Sequence, residues 1–200
     1  MRVEIHEAKR LPVRREGVVL ITGDGRSLPG DVEKFLSWRI PHDVMAIGRS
    51  VGFYPGDVLH WANVDGEPCI WWAEHLPKKN MGDFPIRHTL GECRGFDVDW
   101  EIIDEIELWS PDEQSWHGST SLFAVYACLA LGYQKIVLAG CPLDCKGHWF
   151  FPETEQGPVW RASDYQAWLE FSRDPQANKV KSLSGYTAMM IGEAVESRSK

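Results

Sequence analysis

The chain has 200 residues, of which 44% are hydrophobic and 25% charged, and it carries a formal net charge of −8. This composition is ordinary for a globular protein and excludes a largely disordered chain. The negative charge argues against a nucleic-acid partner, because phosphate backbones are anionic as well. Residues 1–200 fit a single domain. The longest apolar stretch, Leu122–Leu131, is too short to span a membrane.

The cysteine and tryptophan content bears on location and packing. None of the five cysteines forms a Cys-x-x-Cys pair, and Met1–Glu16 is too charged for a secretory signal, so a cytoplasmic protein with reduced thiols is expected. Ten tryptophans are an unusually large number for this length. They either fill the core or line a ligand cleft or a homo-oligomer interface.

The first elements along the chain predict a β-α-β unit. Gly17–Thr22 is a short β-branched apolar run, typical of a buried strand. A loop follows, and apolar residues at helical spacing then predict a helix over Asp31–Arg39. Asp43–Ile47 and Asp57–Val64 are further strand candidates. Strands that alternate with helices indicate an α/β fold with a mostly parallel sheet and helices on both faces.

The middle of the chain is the least regular part. Ile70–Leu76 has the pattern of a short amphipathic helix, whereas Pro77–Arg94 predicts an irregular, exposed excursion. Asp97–Leu108 is acidic with interleaved apolar residues. We therefore expect a lid or an insertion at about residues 66–115.

The clearest element is a helix over Ser119–Leu131. Hydroxyl residues stand at its start, ten apolar residues follow, and Gly132 provides a stop. Because it is apolar all round, we expect it to be buried. Lys135–Ala139 predicts another buried strand. Three further elements are predicted at Ala162–Ser172 (helix), Lys179–Leu183 (strand) and Tyr186–Val195 (helix).

The first candidate site is the sequence Gly-Asp-Gly-Arg-Ser-Leu at residues 23–28, between a strand and a helix. Glycines allow a sharp turn and a close approach to a ligand, and a helix N-terminus attracts phosphate. A tight turn without a ligand is the alternative, because a lone Gly-x-Gly is weakly specific. The predicted nucleotide-binding residues of this loop are Gly23, Asp24, Gly25, Arg26 and Ser27.

The second candidate site is the hydroxyl cluster Ser119, Thr120 and Ser121 at the start of the buried helix. Such residues at a helix N-terminus hold either a phosphate or a carboxylate. Ordinary helix capping is the alternative.

The third candidate site follows the strand Lys135–Ala139. Ligands of open parallel sheets lie beyond the carboxyl ends of the strands, which places Asp144 and His148 well for catalysis. A histidine serves as a general base near neutral pH. Cys141, Cys145 and His148 are zinc-ligand types, but no fourth ligand is evident, so no metal is expected.

An Asp-Val-Asp triplet at residues 97–99 is a weaker candidate. Paired aspartates of this kind hold Mg²⁺ or Mn²⁺ beside a diphosphate in some sugar transferases. The surrounding sequence is heavily acidic, which favours a solvated face instead. A divalent metal is therefore not indicated.

The candidate sites together resemble the small bacterial sialyltransferases. Those proteins carry Gly-Asn-Gly-Pro-Ser-Leu in the first loop and Thr-Ser-Gly before a buried helix that ends Leu-Gly-Tyr. This chain has Gly23–Leu28, Ser119–Ser121 and Leu131–Tyr133 at those places. The layout is also similar to motility-associated glycosyltransferase-like proteins, to archaeal-type pterin pyrophosphokinases, and to phage and bacterial proteins with His-Trp after the later strand. The resemblance covers Gly17–Val64 and Trp116–Trp149.

The resemblance implies a Rossmann-like fold that binds a nucleotide or a nucleotide sugar such as a CMP-sugar. Residues 23–27 and 119–121 would then face the nucleotide, and His148 or Asp144 would take a proton from the acceptor hydroxyl. Asp24 replaces the asparagine usual in the family's first loop. Two other functions stay open, namely a non-catalytic module whose tryptophans bind a partner, and a Mg²⁺-dependent pterin-type pyrophosphokinase.

Overall fold

The computed structural model describes residues 2–9, 16–64, 85–91, 95–103, 119–144, 146–150 and 162–196. Within these ranges the chain forms one eight-stranded sheet with helices packed on it. The strands are β1 Val3–Ala8, β2 Val18–Thr22, β3 Asp43–Ile47, β4 His60–Ala62, β5 Ile86–Leu90, β6 Val98–Ile102, β7 Lys135–Ala139 and β8 Val180–Ser182. The helices are α1 Leu28–Ser37, α2 Thr120–Leu131, α3 Ala162–Phe171 and α4 Gly185–Ile191, with 3-10 helices at Gly48–Gly52 and Pro175–Lys179.

The strand order is β1-β6-β5-β4-β3-β2-β7-β8. β1 pairs with β6 in the antiparallel direction, and the other six pairings are parallel. The predicted α/β fold with a mostly parallel sheet is therefore confirmed. From β2 the chain builds outward through β3 to β6, and it then returns to place β7 on the other side of β2.

Both faces of the central strand β2 are covered. Leu20 packs in one core with α1, whereas Val19 and Ile21 pack in the other core with α2 and α3. A continuous apolar run is what a strand buried on both faces requires. Helices α1 and α3 consequently lie on opposite faces of the sheet.

The buried helix α2 agrees with its prediction in its limits and its caps. The Ser119 side chain accepts a hydrogen bond from Leu122 N, and Gly132 ends the helix at φ 100°. A glycine takes this left-handed conformation at little cost. Eight residues of α2 are buried, as expected of a helix without a polar face.

The middle of the chain corrects two predictions. Pro77–Arg94 was expected to be irregular and exposed, but it contains β5, in which His88 and Thr89 are buried. The acidic segment was expected to be a solvated face, but it contains β6, and Asp99 is only 2% exposed. Both strands contain buried polar residues, so a pattern based on hydrophobic residues does not predict them. The predicted helix Ile70–Leu76 lies outside the described residues.

Several element limits also differ from the predictions, such as the end of the last helix at Ile191 instead of Val195, and one strand was not predicted. Helix α1 begins at Leu28 rather than Asp31, because Pro29 is tolerated in a first helical turn. The strand predicted over Asp57–Val64 is reduced to β4. Strand β1 was not predicted, since its exposed polar residues are those of a sheet edge. Among the described helices, none has the length and apolar character needed to cross a membrane.

A chain of polar side chains, here called the core chain, crosses β6, β5, β4 and β3, and all of its members except the partly exposed Asp43 are buried. Trp100 Nε1 donates to His88 Nδ1 at 3.1 Å, and His88 Nε2 lies 2.9 Å from His60 Nδ1. His60 Nε2 lies 3.3 Å from the Tyr133 hydroxyl, which donates to Asp43 Oδ2 at 2.8 Å. The tryptophan here is part of the core, as are Trp61 and Trp168.

Candidate functional site

The loops that follow β2 and β7 meet at the carboxyl edge of the sheet. Residues 23–27 are called the β2 loop and residues 140–150 the β7 loop. Gly23 N donates to Ala139 O at 2.8 Å, and Gly25 N donates to Gly140 O at 2.7 Å. In parallel sheets, ligands bind at this edge, where the strand order reverses. The sequence-predicted loop therefore lies where the topology favours a site.

Three glycines allow these two loops to touch. A Cβ atom would lie 2.6 Å from Gly140 O if added to Gly23, and 2.7 Å from the same oxygen if added to Gly25. A Cβ atom on Gly140, at φ +67°, would lie 2.7 Å from Gly23 O. The close approach that these glycines permit is thus between the two loops.

A second set of contacts joins the β2 loop to residues 146–149. Arg26 N donates to Gly147 O at 3.1 Å, and Trp149 N donates to Asp24 O at 3.0 Å. Arg26 Nε also donates to Lys146 O at 2.9 Å. The β2 loop and the β7 loop consequently form one unit, and His148 is brought to the loop that holds Asp24.

The predicted site residue Ser27 bonds inward. Its hydroxyl donates to Asp31 Oδ2 at 2.9 Å, and Gly140 N donates to the same oxygen at 2.9 Å. Ser184 Oγ lies 2.6 Å from it. Asp31 therefore ties the ends of β2, β7 and β8 together. Sequence reasoning missed this role, because an aspartate in a first helical turn is ordinary.

Asp24 is the carboxylate of the β2 loop. Its Oδ2 accepts a hydrogen bond from Arg49 N at 3.2 Å, and it lies 2.7 Å from where a Cβ atom of Gly48 would be. The residue is partly exposed, but Oδ1 is buried and has no hydrogen-bond partner within the described residues. Burial raises the pKa of Asp24 to about 6, against the opposing effect of the N–H groups of Arg49 and Ser50 and the charge of Arg49.

His148 is half-buried beside this carboxylate-bearing loop. Burial, with the nearby charge of Arg49, lowers its pKa, and a hydrogen bond to the main-chain oxygen of Asp24 opposes that shift. The ring stacks on Phe150 at 5.1 Å between centroids, and the Arg49 guanidinium carbon lies 4.4 Å from the Phe150 centroid. A neutral imidazole at pH 7 is suited to accept a proton.

Trp149 supplies a second buried polar atom without a partner. Its Nε1 has no hydrogen-bond acceptor in the described part of the chain. The ring packs against Phe53 at 4.7 Å and against Phe150 at 5.6 Å between centroids. Phe53, Arg49 and Phe150 were missed by sequence reasoning, since nothing local marks them before the loops are brought together.

Asp144 is placed within its own turn. Its Oδ1 accepts from Lys146 N at 3.2 Å, and its Oδ2 lies 3.8 Å from Lys146 Nζ. The preceding residue, Leu143, has a positive φ of 49°. Residues held in this unfavourable conformation cluster at functional sites.

The hydroxyl cluster at the start of α2 is engaged with the protein. Ser119 Oγ accepts from Leu122 N at 3.3 Å and from Trp168 Nε1 at 3.0 Å, and it lies 2.7 Å from Ser121 Oγ. The capping alternative is thus observed for Ser119. Because α2 leads into the parallel strand β7, this helix start lies at the same edge of the sheet as the β2 loop.

Metal-ligand residue types do not cluster in the described ranges. No group of three or more histidine, cysteine or acidic side chains is suited to a metal there. Burial, with the nearby carboxylates of Asp31 and Asp24, raises the pKa of the Cys141 thiol. Its Sγ points to Ala139 O at 3.6 Å. Cys145 lies outside the described residues.

Comparison of the chain with protein-family models, with curated proteins and with solved structures gave no match. The resemblance to sialyltransferase-like proteins therefore stays a prediction.

Proposed function

We propose that the protein has a Rossmann-like fold, binds a nucleotide between the β2 and β7 loops, and uses a nucleotide-sugar donor such as a CMP-sugar in a glycosyltransferase-like reaction. One observation carries the proposal. The neighbouring parallel strands β2 and β7 continue into helices on opposite faces of the sheet, α1 and α3. Such a divergence opens a crevice at the carboxyl ends of the two strands, and ligands of open α/β sheets bind in it.

The charges at this edge support an anionic ligand next to the loops. Arg26 and Arg49, whose guanidinium group lies over the Phe150 ring, bring two positive charges to a chain that is acidic as a whole. Guanidinium groups form charge-assisted hydrogen bonds with phosphate oxygens. We therefore assign the phosphates of the nucleotide to the arginine side of the crevice.

His148 is the favoured proton acceptor of the proposed reaction. The acceptor hydroxyl oxygen would bond to the anomeric carbon of the sugar as the bond from that carbon to the phosphate oxygen breaks. The electron pair leaves with the nucleotide phosphate, and the hydroxyl proton passes to the imidazole. Asp144 is the second candidate for this role.

A thermal-shift assay with CMP, UDP, GDP and ADP tests the binding step. We expect at least one nucleotide to raise Tm, because a ligand that binds only the native state stabilises it. Arg49→Gln should weaken this effect, whereas Arg2→Gln, an exposed arginine on the far edge of the sheet, should not. No shift with any of the four nucleotides would contradict the proposal.

Turnover separates the proposed enzyme from the two alternatives. His148→Gln should bind the nucleotide and lose transfer. Binding without transfer from any donor would favour a non-catalytic module, and an absolute need for Mg²⁺ in nucleotide binding would favour a pyrophosphokinase.

A further inference from the structure

Two buried polar atoms of the candidate site lack a hydrogen-bond partner within the described residues, Asp24 Oδ1 and Trp149 Nε1. They belong to residues that are joined by the main-chain bond from Trp149 N to Asp24 O at 3.0 Å. Native proteins rarely leave buried polar atoms unsatisfied. Two of them on one pair of bonded loops, at the edge where ligands bind, point to a bound group that completes both.

The chemistry of the two atoms specifies that group. An ionised carboxylate oxygen only accepts hydrogen bonds, and an indole N–H only donates them. A hydroxyl group satisfies either atom, since it is both a donor and an acceptor. A phosphate oxygen accepts only, and its charge is repelled by the carboxylate. Asp24 therefore excludes a phosphate group from the position beside its Oδ1, where a hydroxyl group can donate a hydrogen bond.

The surrounding contacts hold both atoms in fixed positions. The other oxygen of Asp24 accepts a hydrogen bond from Arg49 N, and it occupies space that a Cβ atom on Gly48 would fill. The ring of Trp149 is held by Phe53 and Phe150. A rigid acceptor and a rigid donor select a ligand by the placement of its hydroxyl groups.

We propose that Asp24 Oδ1 and Trp149 Nε1 recognise sugar hydroxyl groups, so that a neutral sugar, and not the phosphate, lies against the Asp24 side chain. This inference rests on the proposed nucleotide binding and specifies which part of the ligand Asp24 and Trp149 contact. The ribose and the transferred sugar present the same chemistry, and the experiment distinguishes them.

Isothermal calorimetry on the full chain at pH 8 measures the effect. The probes are CMP, UDP, GDP and ADP, the 2′-deoxy and 3′-deoxy forms of the nucleotide that binds, and the matching nucleotide sugar. If the ribose is recognised, removing the contacted hydroxyl should weaken binding by about 10- to 100-fold, because the site keeps an unpaired buried polar atom. If the transferred sugar is recognised, the deoxy forms bind normally and the nucleotide sugar binds more tightly than the nucleotide.

Two variants test whether Asp24 Oδ1 and Trp149 Nε1 cause the preference for a ligand with the contacted hydroxyl group. Asp24→Asn keeps the shape but removes the charged acceptor, and Trp149→Phe keeps a ring but removes the N–H group. Each should reduce the preference for the hydroxyl-bearing ligand at least several-fold. Asp57→Asn and Trp38→Phe are matched controls outside the two loops and should leave the preference unchanged.

The outcomes separate this inference from the function on which it rests. Nucleotide binding with no dependence on any sugar hydroxyl, in the natural chain and in both variants, would overturn the inference and leave the proposed function standing. Buried water would then satisfy the two atoms. If none of the nucleotides binds, the proposed function and the inference fail together.

Discussion

The core chain and the candidate site both contain buried polar atoms, but only in the core chain does each of the bonds that link its members pair a donor with an acceptor. The donor and the acceptor of each hydrogen bond in the core chain can be assigned from the Trp100 end. The Trp100 N–H only donates, so His88 Nδ1 accepts, and a neutral His88 must carry its proton on Nε2 and donate to His60. The same step places the His60 proton on Nε2, toward Tyr133, whose hydroxyl donates to Asp43.

Burial and the neighbouring His60 hold the pKa of His88 well below its ordinary value, so this ring stays neutral. Donors and acceptors therefore match along the whole core chain. At the candidate site, Asp24 Oδ1 and Trp149 Nε1 are left over. The core chain needs no further partner, whereas the two unpartnered atoms of the candidate site are the basis of the ligand that we propose there.

The largest expected effect comes from breaking the core chain in its middle. His88→Ala should lower the free energy of unfolding by about 3 kcal/mol or more. The variant leaves a cavity, and it removes the side chain that bonds to Trp100 Nε1 and to a nitrogen of His60. Urea denaturation measures this loss. His6→Ala, an exposed histidine on β1, is the control and should change little. A loss below about 1 kcal/mol for His88→Ala would show that the core chain does not contribute to stability.

A smaller effect is expected from separating the two loops of the site. Gly140→Ala should cost about 2–4 kcal/mol, because it adds a clash with Gly23 O and Leu28 to the strain of a positive φ. Gly91→Ala is the matched control. Gly91 has φ +77°, but no heavy atom of the described residues lies within 4 Å of its Cβ position, so this variant isolates the strain, at about 1–2 kcal/mol. Equal losses would mean that the contact between the loops adds nothing.

The smallest expected effect has the opposite sign. The pKa of Asp24 is raised from 3.8 to about 6, so the folded state binds this proton more tightly than the unfolded state. Stability attributable to Asp24 therefore falls as pH rises from about 4 to 6. Asp24→Asn removes the buried charge, and it should stabilise the protein by about 1–2 kcal/mol above pH 7 and by almost nothing below pH 4.

Thermal unfolding as a function of pH measures that difference. A constant ΔTm across the pH range, or destabilisation at pH 8, would show that the carboxylate is fully compensated within the protein. The two regions would then differ in the sign of the change in the free energy of unfolding. Replacing a site residue would stabilise the protein, whereas replacing a core-chain residue would destabilise it.

The predictions from sequence succeed where local patterns decide the structure. Strands β2, β3 and β7 are short apolar runs, and α2 has both its caps in the sequence. They fail at β5 and β6, because His88, Thr89 and Asp99 are polar residues whose burial depends on partners elsewhere in the chain. No window of a few residues contains that information.

The candidate site shows the same limit. The strand-to-helix turn at residues 23–28 was predicted as a place of interest, and it lies at the carboxyl edge of the sheet. Arg49 and Phe53 were not predicted, since they come from the end of β3 and reach Phe150 and Trp149 only through the parallel pairing of distant strands. Asp31 was overlooked for the same reason, as its partner Gly140 is 109 residues away.

The β2 and β7 loops are far apart along the chain, and this separation affects how the protein folds during synthesis. Arg26 bonds to Lys146, 120 residues later, and β2 lacks its neighbour β7 until that later segment is available. Closing such long loops lowers folding rates, and the edge of β2 that β7 will occupy is open to wrong partners until then. During synthesis the β2 loop leaves the ribosome well before the β7 loop that completes it. The ligand binding that we propose at this edge would thus require both loops, and nascent or truncated chains that end before residue 146 should show none.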